Sequence, residues 1–256
     1  MIAEGAKAFI DLLLPPRCPL CGDMVLEQHS FCSACWPQLR YISAPQCEHC
    51  GRPLGNEQPD MEQESRICGP CIAEPPPHDG IRAAIIYDDL SRRIVLRLKH
   101  AGRIGLAKFI ARQLLRQMPK GSENWMLVPV PLHRWRLWKR GFNQSQLIAS
   151  ELARLSGTTL YSDILLRKRA TPPLKNMTKK QRSAAVKNVF AIHPEKAGQL
   201  AGRKIMLVDD VYTSGATSHA CVKILKKAGA DRVEIMCWAR VLRDGEEGAE
   251  SGKLPF

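Results

Sequence analysis

Beyond residue 80 the apolar positions of the chain fall into two periods that take turns. Arg82 to Tyr87 is a short apolar run of strand length, and Leu90, Ile94 and Leu98 then recur at helical spacing. Leu106, Phe109, Ile110 and Leu114 repeat that spacing after a break at Ala101-Gly102. Trp125 to Val130 is a second uninterrupted apolar run; Leu147, Ile148, Leu152 and Leu155 mark a helix, and Val189 to Ile192 a short strand. Lys204 to Val208, Ala220 to Leu225 and Val233 to Trp238 continue as strand, helix and strand. Runs apolar at every position belong to strands covered on both faces, so the alternation predicts an α/β fold: a mostly parallel sheet with flanking helices. Residues 1 to 80 keep neither period. Pro37, Pro45 and Pro53 break any helix there, which predicts short ribbons and loops.

The run from Ile205 to Thr217, IMLVDDVYTSGAT, joins a buried strand to a helix through a small-residue turn. In open α/β sheets ligands settle beyond the carboxyl ends of the strands. Gly215 permits a tight turn, Thr213, Ser214 and Thr217 offer hydroxyls, and the free N–H groups from Ser214 through Ala216 to Thr217 open a helix; together they favour a phosphate monoester. Asp209 and Asp210 at the strand end can accept hydrogen bonds from the vicinal hydroxyls of a ribose whose 5′-phosphate lies in that turn. A strand, an acidic loop and an N-capped helix without a ligand account for the first half of the run equally well. The full order is four apolar residues, two acids, two variable residues, then Thr, Ser, Gly, Ala, Thr. It resembles the phosphoribosyl-diphosphate (PRPP) motif of the type I phosphoribosyltransferases.

Eight of the ten cysteines form four CxxC pairs: Cys18 with Cys21, Cys32 with Cys35, Cys47 with Cys50, and Cys68 with Cys71. Two thiolates at that spacing turn back onto one tetrahedral zinc, and two knuckles complete a closed site. Taken in order, in preference to an interleaved pairing of the knuckles, the first four cysteines make one structural zinc site and the last four a second, a double zinc ribbon. Disulfides do not suit a reduced compartment, and a thioredoxin-type site needs one pair in a βαβ setting rather than four in loops. His29 and His49 read as bystanders, and Cys221 and Cys237 as core packing. So short a segment, with few large apolar residues, depends on metal for stability. The expected organisation is a ribbon unit over 1–73, a stiff proline linker over 74–80, the α/β domain over 81–243 and a small, acidic, disordered tail over 244–256.

With 256 residues and 45% apolar content the chain can bury one full domain and a small second one. No apolar run is long enough to span a membrane. Ala8 to Leu14 is short, interrupted by Asp11 and without a basic leader, so it does not read as a signal peptide and a cytoplasmic protein is expected. The net charge of +13 is unevenly spread: residues 81–243 carry 32 Lys or Arg against 10 Asp or Glu, while residues 1–80 carry 5 against 11. Such an excess suits a surface that meets phosphates, of a small diphosphate or of a nucleic-acid backbone, and equally a solvated basic face.

Two basic segments flank the motif. The first leaves a strand at Val128, packs Arg134, Arg136, Lys139 and Arg140 into a loop and then opens a helix. In the phosphoribosyltransferase reading Pro131, Leu132, His133 and Arg134 occupy the loop that holds the pyrophosphate of PRPP, with Lys99 a further cation for it. The interleaved Trp135 and Trp138 also allow cations to track a single strand of DNA while rings stack on bases; ordinary packing against the ribbons explains them as well. The second segment, Leu166 to Phe190, is rich in cations, Arg182 among them, and poor in apolar residues before Val186, so it is expected to move. Type I phosphoribosyltransferases close such a hood over PRPP, and Arg182 counts with the PRPP-binding residues.

Together the opening at Pro15 to Cys21, the knuckles, Lys99 in LRLKHAG, the block VPVPLHRWRLWKRGFNQSQ, the Arg182 to Phe190 segment and VDDVYTSGAT resemble the ComF family of competence and DNA-utilisation proteins over nearly the whole chain. Leu174 stands where many relatives have glutamine. The resemblance implies a phosphoribosyltransferase-type fold behind two zinc ribbons. It further implies PRPP with magnesium as ligand, Asp209 and Asp210 as the catalytic pair, single-stranded DNA as a partner and action beside a competence helicase. It supplies no acceptor, and nothing in the chain resembles the glutaminase nucleophile that an amidophosphoribosyltransferase requires. Two classes stay open: an enzyme transferring phosphoribose, and a non-catalytic sensor of PRPP or nucleotide that holds single-stranded DNA.

Overall fold

A computed structural model describes residues 15–28, 30–54, 66–100, 103–171 and 177–242. Ala8 to Leu14, His29, the Ala101-Gly102 break, Leu174 and the tail from 244 lie outside the described residues. In chain order the elements are α1 (Gly69–Ala73), β1 (Gly80–Ile86), α2 (Asp89–His100), α3 (Leu106–Leu115), β2 (Met126–Pro129), α4 (Arg134–Arg140), α5 (Gln144–Ser156), β3 (Thr159–Leu160), β4 (Leu165–Arg167), α6 (Lys179–Ala185), β5 (Phe190–Ile192), β6 (Lys204–Tyr212), α7 (Ala216–Lys227) and β7 (Arg232–Arg240). Five strands form one sheet in the order β1-β7-β6-β2-β3, with every pairing parallel.

The uninterrupted apolar runs are the central strands. Ile205 through Asp210 in β6 and Val233 through Arg240 in β7 are buried at every position, as sheet strands covered on both faces must be. Leu98, Phe109, Leu114, Ile148 and Leu152 of the flanking helices join Met206, Val208 and Trp238 in one core; Val222 and Leu225 of α7 join Ile205, Leu207, Val233 and Ile235 in another.

Two local expectations change. The motif strand does not stop at Val208: Asp209 pairs with Cys237, Val211 with Ala239 and Tyr212 with Arg240, so both acids lie inside β6. Carboxylates are rare in strand interiors, and these persist because polar partners meet them there. The basic stretch from Arg134 to Arg140 is a seven-residue helix, α4, closed by Gly141 in the left-handed conformation at φ 80°. Within the second basic segment the described residues form regular elements. Leu165 to Arg167 pair antiparallel with Phe190 to Ile192, and α6 starts in a reciprocal capping box between Thr178 and Gln181.

The cysteine-rich segment is stitched to the sheet. Ile42 N donates to Ala84 O at 3.0 Å and Ile86 N to Arg40 O at 2.8 Å, an antiparallel bridge that covers the β1 edge. Phe31 and Trp36 stack on Phe109 at 4.4 and 5.9 Å, and Phe109 in turn meets Trp238 at 5.5 Å. The proline linker ends at Asp79, whose carboxylate accepts from Val233 N at 2.7 Å and from Lys226 Nζ at 2.8 Å.

Candidate functional site

The strand β6, the turn Thr213 to Gly215 and the start of α7 enclose a cavity of about 60 Å³. Its walls are Arg182, Asp209, Val211 and the run Thr213 to Ser218. Gly215 caps α7 at φ 76°, a conformation that side chains other than glycine rarely adopt. The exposed N–H groups of the first turn and the dipole of a twelve-residue helix make this end electropositive.

The two aspartates take different partners. Asp209 accepts from Ser145 Oγ at 3.0 Å and from Asp210 N at 2.8 Å. Burial first, then the neighbouring Asp210 charge, push its carboxyl up to about 7, against the pull of those bonds and of Lys99. Near neutrality the Asp209 carboxyl can therefore either donate or accept a hydrogen bond. Asp210 forms an ion pair with Lys99 Nζ from α2 and accepts from Val211 N at 2.9 Å, and the half-buried Arg140 guanidinium feels its charge.

Ser145 reaches Asp209 because of the turn between two helices. Gly141 ends α4; Asn143 then opens α5, accepting from Ser145 N at 3.1 Å and donating to Val130 O at 3.0 Å. That pair of bonds fixes the first turn of α5 to the end of β2, beside β6.

Of the residues read from sequence, the cavity brings together Asp209, Thr213, Ser214, Gly215, Ala216, Thr217 and Arg182, while Lys99 meets Asp210. Pro131, Leu132, His133 and Arg134 lie outside its walls. His133 is buried, its Nδ1 accepting from Trp135 N at 3.4 Å as the cap of α4. The cations of α4 divide. Arg136 donates to Thr171 O at 3.1 Å and Arg140 to Gln144 Oε1 at 2.5 Å, whereas Arg134 and Lys139 face solvent. Trp135 and Trp138 are 64% and 81% exposed and meet edge to face at 6.3 Å, so packing against the ribbons does not account for them. Sequence reasoning missed Ser145, and it counted Arg167 only among the cations of the second basic segment; Arg167 donates to Thr171 Oγ1 at 2.5 Å, lies over Phe190 and feels the charge of Asp209. The signal for Ser145 was the helix-opening Asn-Gln-Ser of the basic block.

The eight paired cysteines form two clusters, Cys18, Cys21, Cys32, Cys35 and Cys47, Cys50, Cys68, Cys71, each with its sulfurs within 4.8 Å of one another. Cys21 and Cys32 sulfurs lie 3.5 Å apart and those of Cys50 and Cys68 3.6 Å, close to the edge of about 3.8 Å of a sulfur tetrahedron around zinc. Cys47 Sγ accepts from Cys68 N at 3.3 Å and Cys50 Sγ from Arg52 Nε at 3.3 Å, bonds that stabilise thiolates. Without a cation the thiols oppose joint ionisation: burial, then the charge of Cys50, push Cys71 up to about 12. The donor set fits zinc with no open position. Cys221 and Cys237 are fully buried in the core.

Residues 9–72 match the double zinc ribbon domain and residues 104–251 the phosphoribosyl transferase domain. The chain belongs to the phosphoribosyl transferase domain family, carrying a double zinc ribbon in front of that domain. Within it, the chain is a member of the ComF and YhgH group. It is 32% identical over 238 residues to the DNA utilization protein YhgH of Salmonella typhi, covering 90% of this chain and 100% of that protein. It is 27% identical over 231 residues to the competence protein F of Haemophilus influenzae, covering 88% and 96%. The competence protein ComFC of Bacillus subtilis is 27% identical over 206 residues, covering 77% and 78%. Among solved structures, the glutamine PRPP amidotransferase from B. subtilis aligns with a TM-score of 0.35 at 20% identity, covering 51% of this chain and 25% of that one.

Proposed function

We propose that the cavity beyond β6 binds PRPP and that the protein transfers its phosphoribosyl group to an acceptor met during the uptake or use of DNA. The observation that carries this reading is the placement of Asp209, Arg182 and the turn Thr213 to Thr217 around one cavity at a helix N-terminus. In it the 5′-phosphate takes the N–H and hydroxyl groups of Thr213, Ser214, Gly215, Ala216 and Thr217, and Asp209 and Asp210 hold the ribose hydroxyls. Lys99 and the segment Pro131, Leu132, His133, Arg134 serve the pyrophosphate, and magnesium arriving with PRPP would be held on the side of Asp209 and Asp210 and would offset the negative charge of the pyrophosphate. Arg182 and the β4–β5 hood close over the site and exclude water from the electron-poor C1 centre.

The unit boundaries that accompany this reading are 1–73, 74–80, 81–243 and 244–256, with two zinc ions in the first unit. A cytoplasmic setting is consistent with the absence, among the described residues, of any helix long and apolar enough to cross a membrane. Relatives named for competence and DNA utilisation support DNA as partner; a competence helicase as neighbour rests on the family resemblance alone. A time course of pyrophosphate release from Mg²⁺-PRPP, with single-stranded DNA, free bases or ammonia as acceptor, tests the transfer. Release that depends on one acceptor supports it; none with any acceptor rejects it.

A second reading, a PRPP or nucleotide sensor that binds single-stranded DNA without transfer, is favoured by the exposed Trp135 and Trp138 beside the solvent-facing cations Arg134 and Lys139.

A further inference from the structure

The turn that lines the cavity rests on a pair of side chains outside it, Tyr212 buried and His219 partly buried. Tyr212 Oη and His219 Nε2 share a hydrogen bond of 2.9 Å directly behind Gly215. A Cβ at Gly215 would collide with the Tyr212 hydroxyl and would come within 2.7 Å of His219 Nε2, so the turn backbone lies flush on the pair. His219 also sends its backbone N–H to Gly215 O at 2.7 Å. Tyr212 is the last residue of β6 and His219 stands in the first turn of α7, so their bond spans the turn and sets the distance between its two ends.

A third ring backs this pair. His78, 3% exposed, meets the Tyr212 ring edge-on at 6.2 Å and the His219 ring at 5.3 Å. Among the described residues neither of its ring nitrogens has a hydrogen-bond partner, and burial, then His219, hold it well below the usual imidazole range. It therefore acts as a neutral packing wedge. Its chain neighbour Asp79 is anchored by bonds to Val233 and Lys226, and the second ribbon packs on the strand that follows. There the knuckle glycine Gly51 is so close to β1 that a Cβ would stand 2.5 Å from Ile81 O.

We infer that Tyr212 and His219 are positioning residues that hold the Thr213–Thr217 turn in its anion-binding shape, and that His78 carries support from the second ribbon to them. The inference rests on the reading of this turn as the 5′-phosphate site. A preformed ring of N–H donors binds phosphate without first ordering the chain, so a turn that loses its support binds more weakly although every donor is still present. Pyrophosphate contacts, made from other elements, do not share that dependence.

The test uses the full-length zinc-loaded protein and three probes: ribose 5-phosphate, Mg²⁺-pyrophosphate and Mg²⁺-PRPP, with calorimetry beside amide hydrogen exchange of residues 214–217. Tyr212→Phe, which keeps the ring, and His219→Ala should each weaken ribose 5-phosphate and PRPP by roughly tenfold, the worth of one buried hydrogen bond, and speed exchange in the turn. Pyrophosphate affinity should stay unchanged, and His219→Gln, which restores a polar end group, should recover most of the loss. His78→Phe should behave as wild type and His78→Ala as a weaker His219→Ala. Folded Tyr212→Phe protein with unchanged exchange and unchanged ribose 5-phosphate affinity would overturn the inference. Wild-type protein that takes up none of the sugar phosphates, with exchange still faster in the variants, would instead reject the PRPP reading and leave the positioning pair standing.

Discussion

Ser145, in the first turn of α5, donates its hydroxyl to Asp209 on β6 across 3.0 Å. The bond pulls the Asp209 carboxyl down while burial and Asp210 push it up, and the outcome is a group that titrates near 7 rather than at its ordinary 3.8. Between those values the folded chain holds a proton that the unfolded chain has lost. The contribution of Asp209 to stability is therefore complete below about pH 4, declines on the way to about pH 7 and is absent above it. Urea denaturation of wild type and Asp209→Asn across pH 5 to 8 should show the variant gaining ground with rising pH, by on the order of a few kcal/mol in all. Ser145→Ala should move the wild-type decline to higher pH. A pH-independent difference between wild type and Asp209→Asn would contradict this assignment.

Lys99 should matter before any ligand arrives. It neutralises Asp210, whose side chain is only 7% exposed. Lys99→Ala leaves that charge without its partner and should cost about 2 kcal/mol of stability, less than a fully dry pair because Lys99 keeps some contact with water. Lys99→Ala combined with Asp210→Asn should recover most of that cost. Additive losses in the thermodynamic cycle would show that the two side chains do not interact.

The cations of α4 should separate by role. Replacing Arg134 and Lys139 with Ala should weaken single-stranded DNA binding and flatten its salt dependence by about 0.7 log units of slope for each phosphate that is no longer neutralised. Trp135→Ala and Trp138→Ala should weaken it with the salt slope unchanged, since stacking releases no counterions. Arg136→Ala should instead loosen the hood, because Arg136 holds Thr171 O. Salt titrations that rank Arg136 with Arg134 would overturn the division.

Zinc removal should reach beyond the ribbons. Cys18 and Cys35 belong to the same buried cluster as Phe109 and Trp238, and residues 40–42 pair with β1. Metal analysis should find about two zinc per chain, and chelation should lower the melting temperature of the whole sheet followed through Trp238. A ribbon that melts alone, with the sheet transition unmoved, would mean that these contacts contribute nothing.

The strands and helices of the parallel sheet were legible because Ile205 to Val208 and Val233 to Trp238 are apolar throughout, apart from Glu234, and Leu106 to Leu114 keep one stripe. The two Cys₄ sets were legible from spacing alone. Helix α4 was not, since none of its seven residues is buried and no apolar stripe exists to betray it. Strand β5 was legible as the run Val189 to Ile192, but β4 and its pairing with β5 across more than twenty intervening residues lie beyond the reach of local periodicity. The extension of β6 through Asp209 to Tyr212 was hidden by its two aspartates, a residue type that strands usually avoid, and these are met by Ser145 and Lys99, which come from other parts of the chain. The ribbon-to-sheet contacts of Phe31, Trp36 and residues 40–42 are likewise tertiary.

The central claim is that the cavity beyond β6 is a PRPP site, and calorimetry with Mg²⁺-PRPP tests it most directly. Wild-type protein should bind one PRPP per chain, and Asp209→Asn with Asp210→Asn, confirmed as folded by circular dichroism, should show no detectable heat, because both ribose contacts are gone. Wild-type protein that does not bind PRPP, or a folded double variant that binds it unchanged, would contradict the account.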